Sequence, residues 1–426
     1  MRYRELLERL YRARRGGAVL ELGRVRSALE RLGNLRERLP LVVQIGGTNG
    51  KGSTAALYDA IAREAGAKTG VFSSPHLVRV EERFCVAGQL ASEDAVLAAG
   101  EAVAACDPDG ELTFFEQVTL IGAQLFADAG VSVAIFEVGL GGRLDATTAL
   151  GADVAAVTGV SFDHVKILGP DIPSIAREKA GIFQPGQQVV IGCAGRPEAG
   201  TLLEDAARAA GARGITRVSP RDAAALEGQD LGLAGHHQRQ NAACALAIAD
   251  AVERAGGPSA GHAARARGLS RARCPGRMEE VGTRPRIILD GAHNGDAARA
   301  LADALSDVPR RDLIAVVGGS VDKDLADVLE PIIRTASVVV ATQAKNERAR
   351  AADQVAALAS SLCPQARVVA CPDVAQALER ARSLAGGEDA IVVAGSLFIV
   401  GEARHAVLGG TADPFPLSDP AVVTSR

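Results

Sequence analysis

Residues 41–54 constrain the fold of this chain more than any other stretch. An apolar run at residues 41–45 predicts a short buried strand, a glycine-rich turn follows it, and hydroxyl residues then open a helical pattern. Lys51 lies in this turn, between Gly50 and Gly52. The backbone N–H groups of such a turn, the N-terminus of the next helix and a lysine charge together favour the binding of phosphate. The sequence therefore predicts a nucleotide-phosphate loop.

The spacing in this loop departs from the usual pattern G-x-x-x-x-G-K-[ST]. Gly47 stands too close to Gly50, and Gly52 separates Lys51 from Ser53. The consensus motif is therefore not matched, although the context of strand, turn and helix fits a phosphate loop. For this reason we interpret the loop together with the rest of the chain.

Composition narrows the class of protein. A chain of 426 residues is too long for one core, so two domains are expected, and 47% hydrophobic with 23% charged residues is typical of a soluble globular protein. A net charge of -4 argues against a general nucleic-acid partner. No apolar run approaches the roughly 20 residues that span a bilayer, so no membrane partner is expected. Seven scattered cysteines without a C-x-x-C pair predict reduced thiols, a cytoplasmic location and no zinc site.

Apolar runs and helical patterns alternate along the chain, which predicts an α/β fold with parallel sheets between helices. Residues 3–14 and 22–32 predict two amphipathic helices, with residues 15–17 between them. The other predicted strands are 69–72, 131–138, 153–160 and 188–191, then 287–290, 313–317, 338–341, 368–370 and 391–394; the other predicted helices are 53–64, 92–105, 113–125, 172–181, 295–305 and 325–333.

The regular pattern stops between residues 259 and 285, where Gly, Ala, Arg and Pro dominate. We therefore predict a first domain at residues 1–272, a linker at 273–285 and a smaller α/β domain at 286–426. The tail from residue 413 is rich in Pro, Asp and Ser and is expected to fray.

Polar side chains follow the predicted strands where each of them ends. In open α/β sheets ligands bind beyond the carboxyl ends of the strands, so these side chains indicate an enzyme site. A hydroxyl (Ser74), a carboxylate (Glu137) and an imidazole (His164) at neighbouring strand ends could share a divalent cation such as Mg²⁺. The polar strand ends are residues 46–54, 73–76, 137–147, 163–164, 290–294 and 318–324.

Several segments together resemble the folylpolyglutamate synthase / dihydrofolate synthase family, which belongs to the Mur ligase superfamily. The matches run in family order from about residue 20 to about residue 405, and they are specific as a set although no single one is. Departures from the family pattern are Gln44, Gly46 and Thr148. The matching segments are 47–53, 73–77, 136–147, 163–164 with 168–169, 178–182, 275–279, 290–294 and 395–401.

The resemblance implies a P-loop-type N-terminal parallel-sheet ATP-binding domain and a smaller Rossmann-like C-terminal α/β domain. It implies an ATP-dependent ligase that phosphorylates a carboxylate and then joins it to the amine of L-glutamate. The substrates would be dihydropteroate or a reduced folate, with ATP, L-glutamate and Mg²⁺ at up to two sites. The family expectation for the oligomeric state is a monomer.

The resemblance also implies a role for each matching residue. Lys51, His164, Lys179 and His293 would serve catalysis, and Lys179 matches a lysine that is carbamylated in the superfamily. Ser74, Glu137 and His164 would bind metal, while Arg83, Phe115 and Asp145 would line the pterin side. The residues implied for ATP are Thr48, Asn49, Gly50, Lys51, Gly52, Ser53, Thr54, His237, Gln238, Asn241, Arg277 and Asp290.

Plainer interpretations stand beside these roles. His164 could be a structural histidine, and Lys179 a charge on a helix face. Asp290 and His293 could cap a helix or form a turn, and Arg83 could belong to a solvated charge cluster. For the whole chain the alternatives are a Mur-type ligase acting on a UDP-linked substrate and a catalytically silent nucleotide-binding protein of the same fold. The folate-type run at residues 139–145 favours the folate ligase over the Mur-type ligase.

Overall fold

The computed structural model describes residues 1–13 and 21–415, and within them the first sheet has eight strands. In chain order they are β1 (Val42–Gly46), β2 (Thr69–Phe72), β3 (Phe84–Val86), β4 (Gln89–Leu90), β5 (Val133–Glu137), β6 (Val154–Val160), β7 (Gln188–Gly195) and β8 (Gly214–Arg217). They lie in the order β4-β3-β2-β5-β1-β6-β7-β8. The pairs β2–β3 and β3–β4 are antiparallel and the other neighbours are parallel.

The second sheet has six strands in the described residues. They are β9 (Glu279–Thr283), β10 (Arg286–Leu289), β11 (Leu313–Val317), β12 (Val338–Ala341), β13 (Arg367–Ala370) and β14 (Ala390–Ala394), in the order β13-β12-β11-β14-β10-β9. Only the β9–β10 pair is antiparallel. The predicted fold class of two parallel α/β sheets is therefore confirmed, with antiparallel edge strands in addition.

Helices cover both faces of each sheet. None in residues 1–13 and 21–415 is both long and apolar enough to span a bilayer. They are α1 (Tyr3–Ala13), α2 (Gly23–Arg31), α3 (Lys51–Glu64), α4 (Glu93–Cys106), α5 (Phe114–Ala129), α6 (Val165–Leu168), α7 (Ile172–Ala180), α8 (Glu198–Ala209), α9 (Pro220–Ala224), α10 (Gln238–Arg254), α11 (His262–Arg271), α12 (Gly295–Ser306), α13 (Leu325–Ile333), α14 (Ala352–Leu362), α15 (Val374–Leu384) and α16 (Leu397–Leu408), with short 3-10 helices at Leu35–Arg38, Val80–Arg83 and Ala146–Leu150.

Local sequence explains why these elements form. The central strands β1, β5 and β6 are buried along their whole length, which is why they are almost continuously apolar. Helix α5 begins with a capping box, in which Thr113 and Glu116 each bond the other's backbone N–H. Helices α12, α13 and α4 are capped by Asn294, Asp324 and Ser92. The side chain of each accepts one backbone N–H from the first turn of its helix.

The prediction that residues 259–285 are irregular is partly wrong. Helix α11 fills residues 262–271, and β9 pairs with β10, so this strand belongs to the second sheet. Gly268 explains why apolar periodicity did not reveal α11. A Cβ there would lie 2.5 Å from Ile61 Cα, so α11 contacts α3 through its backbone. The division into domains at residues 273–285 stays a prediction.

The tail prediction is also wrong for its first residues. Asp413 accepts hydrogen bonds from Tyr11 Oη at 2.9 Å and from Val80 N–H at 3.0 Å. The ring of Phe415 lies 5.0 Å from that of Tyr11. Residues 416–426 lie outside the described residues, as do residues 14–17, where the sequence predicts the end of the first helix and a turn.

Candidate active site

Four neighbouring strands of the first sheet end at the predicted site residues. In spatial order, β2 leads to Ser74, β5 ends at Glu137, β1 leads into the phosphate loop and β6 leads to Asp163 and His164. Parallel strands present their carboxyl ends at one edge, so the phosphate loop, Ser74, Glu137, Asp163 and His164 meet there.

The phosphate loop, residues 46–54, bends at two glycines with positive φ. Gly47 has a φ of 138° and Gly50 a φ of 83°. A Cβ at Gly47 would lie 2.0 Å from Thr158 Oγ1, and one at Gly50 would lie 2.2 Å from Asn241 Oδ1. Glycine is therefore required at both positions. Because Gly50 makes the turn, α3 begins at Lys51, two residues before the predicted start.

Two hydroxyl groups, those of Thr48 in the phosphate loop and of Thr158 in β6, anchor the phosphate loop to β6 and to Ser161 after it. Thr48 Oγ1 accepts the N–H of Ser161 at 3.0 Å and donates to its carbonyl at 3.2 Å. Thr158 Oγ1 donates to the carbonyl of Asn49 at 2.7 Å. The loop backbone is thus held at Thr48 and at Asn49 by contacts within the protein. The other predicted phosphate contacts are Gly52, Ser53 and Thr54, in the first turn of α3.

Two lysines donate hydrogen bonds to carbonyls of the phosphate loop. Lys51 Nζ lies 3.2 Å from the Thr48 carbonyl oxygen, and Lys179 Nζ lies 2.9 Å from that of Gly47. Burial lowers the pKa of Lys51, and the charge of Glu137 acts against this shift. Burial, with the nearby Lys51 ammonium, lowers the pKa of Lys179 to about 7. Near neutral pH a sizeable fraction of Lys179 is therefore the nucleophilic free amine.

Glu137 ends β5 as a buried carboxylate that faces the phosphate loop. Its Oε2 accepts the N–H of Ser74 at 3.2 Å, and a Cβ at Gly52 would lie 3.5 Å from the same oxygen. Burial raises the pKa of Glu137, and the Lys51 charge is the main opposing influence. A divalent cation here would offset the cost of ionising a buried carboxylate, so the residues present fit such an ion.

His164 supplies a neutral imidazole to the same edge. His164 stands before α6 with a φ of 50°, and its backbone N–H donates to Asp163 Oδ1 at 2.8 Å. Burial lowers the pKa of His164 to about 4, outweighing the attraction of Asp163, so the ring can bind metal at pH 7. The described residues hold no cluster of three or more His, Cys, Asp and Glu that could enclose a cation. Ser74, Glu137 and His164 supply a hydroxyl, a carboxylate and an imidazole at this edge, and their joint binding of Mg²⁺ stays a prediction.

Three side chains of the C-terminal half, residues 276–415, converge on Asp163. Lys323 forms an ion pair with it, His293 Nε2 lies 3.6 Å from Oδ2, and Asn294 donates to Oδ2 at 3.2 Å. Burial would raise the pKa of Asp163, but His293, His164 and Lys323 outweigh it and hold this pKa well below its usual range. The predicted catalytic His293 thus reaches the first sheet. The sequence prediction missed Lys323 and Asn294, although both lie in polar strand-end segments.

The start of α10 places the residues predicted for adenine and ribose beside the phosphate loop. Asn241 Nδ2 donates to Gln238 Oε1 at 2.8 Å, and its Oδ1 faces Gly50. His237 Nε2 lies 3.1 Å from Gln238 Nε2. These contacts bring the predicted residues together, and their roles toward ATP stay predictions.

Asp290 uses both carboxylate oxygens within its own part of the chain. Oδ2 accepts the N–H of Met278 and Oδ1 that of Ala292, each at 2.9 Å. A Cβ at Gly291 would lie 2.1 Å from Arg277 Nη1, so the glycine leaves room for that guanidinium. The contacts support Asp290 as a residue that holds the backbone at Met278 and Ala292. Direct contact of Asp290 or Arg277 with a nucleotide stays a prediction.

Two family models match separate parts of the chain. Residues 45–232 match the Mur ligase middle domain, and residues 276–397 match the Mur ligase, glutamate ligase domain. The chain is 37% identical over 402 residues to the dihydrofolate synthase/folylpolyglutamate synthase of Escherichia coli strain K12, with 91% of each chain covered. This chain belongs to the dihydrofolate synthase/folylpolyglutamate synthase family. The resemblance inferred from the motifs is therefore confirmed.

Other members of the family differ in length. A probable bifunctional folylpolyglutamate synthase/dihydropteroate synthase of Haloferax volcanii is 37% identical over 431 residues, covering 95% of this chain. The chain spans about half of that relative, 50% of its length. The Yersinia pestis folylpolyglutamate synthase/dihydrofolate synthase complexed with AMPPNP and Mn ion has 33% identity and a TM-score of 0.83, covering 96% of this chain and 98% of that one.

The resemblance to the dihydrofolate synthase/folylpolyglutamate synthase family predicts that Arg83 and Phe115 line the pterin side of the site. Arg83 is buried, its Nε donates to His76 Nδ1 at 2.8 Å, and its guanidinium lies 5.2 Å from the centroid of Phe114. Phe115 packs on Phe72 with 5.9 Å between ring centroids. Arg83 is therefore no solvated surface charge. Contact of either residue with a pterin stays a prediction.

The third residue predicted on the pterin side, Asp145, is occupied by its own loop. Oδ2 accepts the N–H groups of Gly139 and Leu140 at 3.0 Å each. Oδ1 accepts the N–H of Thr147 at 3.1 Å and its hydroxyl at 2.6 Å. Burial nevertheless raises the pKa of Asp145. These bonds support a role in holding the loop that follows Glu137, and a substrate contact stays a prediction.

Proposed function

We propose that this chain is an ATP-dependent ligase that joins L-glutamate to the carboxylate of dihydropteroate, of a reduced folate, or of both. One observation carries the proposal above all. The phosphate loop, with the Lys51 ammonium above it, faces the buried carboxylate of Glu137 at the edge reached by His293. Phosphate, a cation and a reacting carboxylate need this combination of charges in one place.

The proposed reaction has two steps. An oxygen of the substrate carboxylate attacks the γ-phosphorus of ATP, the bond to the β-phosphate oxygen breaks, and an acyl phosphate and ADP form. The glutamate amine then attacks the acyl carbon, phosphate leaves with the bonding electrons, and the amine loses a proton. Lys51 and the glycine-rich backbone hold the transferred phosphate during both steps.

A cation and the C-terminal half complete the proposed active site. Bound Mg²⁺ supplies charge neutralisation at the transferring phosphate. Ser74, Glu137 and His164 would hold it, and the Yersinia pestis relative complexed with AMPPNP and Mn ion supports the use of a divalent cation. Closure of the C-terminal half over the loop would exclude water from the acyl phosphate.

An ADP-release assay tests the proposal directly. The protein is incubated with ATP, Mg²⁺ and L-glutamate, and dihydropteroate is compared with reduced monoglutamyl folates. We expect ADP release that requires both L-glutamate and at least one pterin, and the pair of rates separates the two synthase activities. No ADP with either pterin would contradict the proposal. ATP binding without ADP release would favour a silent nucleotide-binding protein, and turnover of UDP-linked substrates a Mur-type ligase.

We further propose that Lys179 carries a carbamate in the active protein. Its Nζ has a lowered pKa of about 7, which leaves free amine to react with CO₂, and it lies beside the loop that binds phosphate. In protein equilibrated with ¹³C-bicarbonate, NMR should show a carbamate carbon signal that is lost in Lys179→Arg. Exposed Lys68→Arg is the matched control, since it should leave the signal intact. Equal spectra from wild type and Lys179→Arg would exclude the carbamate.

The cytoplasmic location and the monomeric state stay predictions from composition and family.

A further inference from the structure

Asn294 links the C-terminal half to the phosphate loop with a single side chain. Its Nδ2 donates to Asn49 Oδ1 at 2.9 Å and to Asp163 Oδ2 at 3.2 Å. Its Oδ1 accepts from Asn49 Nδ2 at 3.2 Å and from the N–H of Ala297 at 3.0 Å. A side-chain amide has two donors and two acceptor positions, so all four are used.

The partners of Asn294 belong to three different elements. Asn49 lies in the phosphate loop, Asp163 follows β6, and Ala297 lies in the first turn of α12. Asn49 is itself tied to β6, because Thr158 Oγ1 donates to its carbonyl. A shift of α12 away from the first sheet would therefore remove partners from the phosphate loop and from Asp163 together.

Only an amide satisfies this arrangement. A carboxylate at position 294 could still cap α12, but it has no donor for Asn49 and would repel the Asp163 carboxylate. A serine could cap α12 as well, but its side chain is too short to replace both contacts. The reciprocal pair of Asn49 and Asn294 is thus separable from the capping of the helix.

We propose that Asn294 is a positioning residue that makes the productive conformation of the phosphate loop depend on docking of the C-terminal half, an inference that rests on the ligase function proposed above. The loop then binds the transferring phosphate correctly only when the cleft is closed. Closure excludes water, so phosphate transfer proceeds where the acyl phosphate is protected from hydrolysis.

Asn294→Ser tests this role because it keeps the cap of α12 and removes the amide. We expect kcat to fall at least about tenfold, the effect of losing the three hydrogen bonds to Asn49 and Asp163. We also expect more ADP than amide product, because water reaches the acyl phosphate, whereas the wild type gives one ADP per amide. Asp373→Ser is the matched control: it alters the N-cap of α15, where Asp373 accepts the N–H of Gln376 at 2.9 Å, and should change neither value.

A double-mutant cycle with Asn49→Ala separates coupling from general damage. If Asn49 and Asn294 act as one pair, the double variant should be no slower than the slower single variant. The inference would be overturned if the effects of the two single substitutions on kcat multiplied. It would also be overturned if Asn294→Ser had wild-type kcat and gave one ADP per amide. Either result would leave the ligase function intact.

A wild type without any amide product would instead refute the proposed function. Docking of the C-terminal half is measured separately, by small-angle X-ray scattering with Mg²⁺ and a non-hydrolysable ATP analogue. Asn294→Ser should have a larger radius of gyration than wild type under these conditions, and equal radii would overturn the inference.

Discussion

Lys51→Ala is expected to lower kcat/KM for ADP release at least about a hundredfold, the usual effect of removing one group that stabilises transition-state charge. The ammonium is held over the phosphate loop by the Thr48 carbonyl, and the charge of Glu137 helps to keep it protonated despite burial. No other described lysine donates to this carbonyl, so water would have to replace the charge. ADP release under saturating L-glutamate measures the effect.

The same substitution should leave the fold intact. Lys51 lies in the first turn of α3, where a positive charge is unfavourable and alanine is a good helix former. The melting temperature of the variant should therefore not fall below that of wild type. Exposed Lys68→Ala is the control for loss of a lysine and should keep full activity. Near-wild-type ligation by Lys51→Ala would refute the assignment of the phosphate loop.

Glu137→Gln is expected to abolish most activity while stabilising the protein free of metal and nucleotide. Glutamine keeps the size of the side chain and can accept the N–H of Ser74, but it cannot hold a divalent cation as a carboxylate does. A catalytic cation contributes several kcal/mol, so we expect at least about a hundredfold loss of kcat/KM. Glu178→Gln, which removes a partly buried carboxylate paired with Arg143, should retain activity.

The stability effect of Glu137→Gln has a defined dependence on pH. Burial raises the pKa of Glu137 in the folded state, so the ionised form is disfavoured and wild-type stability falls as pH rises above the unfolded-state pKa of about 4.3. Glutamine carries no charge at any pH. The variant should therefore have the higher free energy of unfolding at pH 7, and the difference should vanish below about pH 4. A variant less stable than wild type at pH 7 would contradict this account, and urea unfolding at both pH values measures it.

The sequence predicts the positions of strands better than the partners of side chains. Helix α13 and strands β11 and β12 have the predicted bounds, because apolar periodicity and flanking polar residues are local signals. Short edge strands such as β4 and β9 carry weak signals of this kind. Helix α11 was missed since its contact with α3 is made by a glycine instead of an apolar stripe.

The candidate site shows the same limit. Lys51 and Glu137 follow from where strands end, which is readable along the chain. The hydrogen bonds that occupy Asp145 and Asp290 depend on loop conformations that no local pattern specifies. The contact of Asp163 with Lys323 joins residues 160 positions apart, so only the folded molecule reveals it.

The strand order also determines when the site can arise during synthesis. Strands β1 and β2 do not pair with each other, because β5 lies between them. A nascent chain that ends before residue 133 therefore contains Lys51 and Ser74 but lacks the strand that aligns them. Pairing over such separations in sequence is slow. The phosphate loop should become competent to bind a nucleotide only after β5 and β6 have left the ribosome.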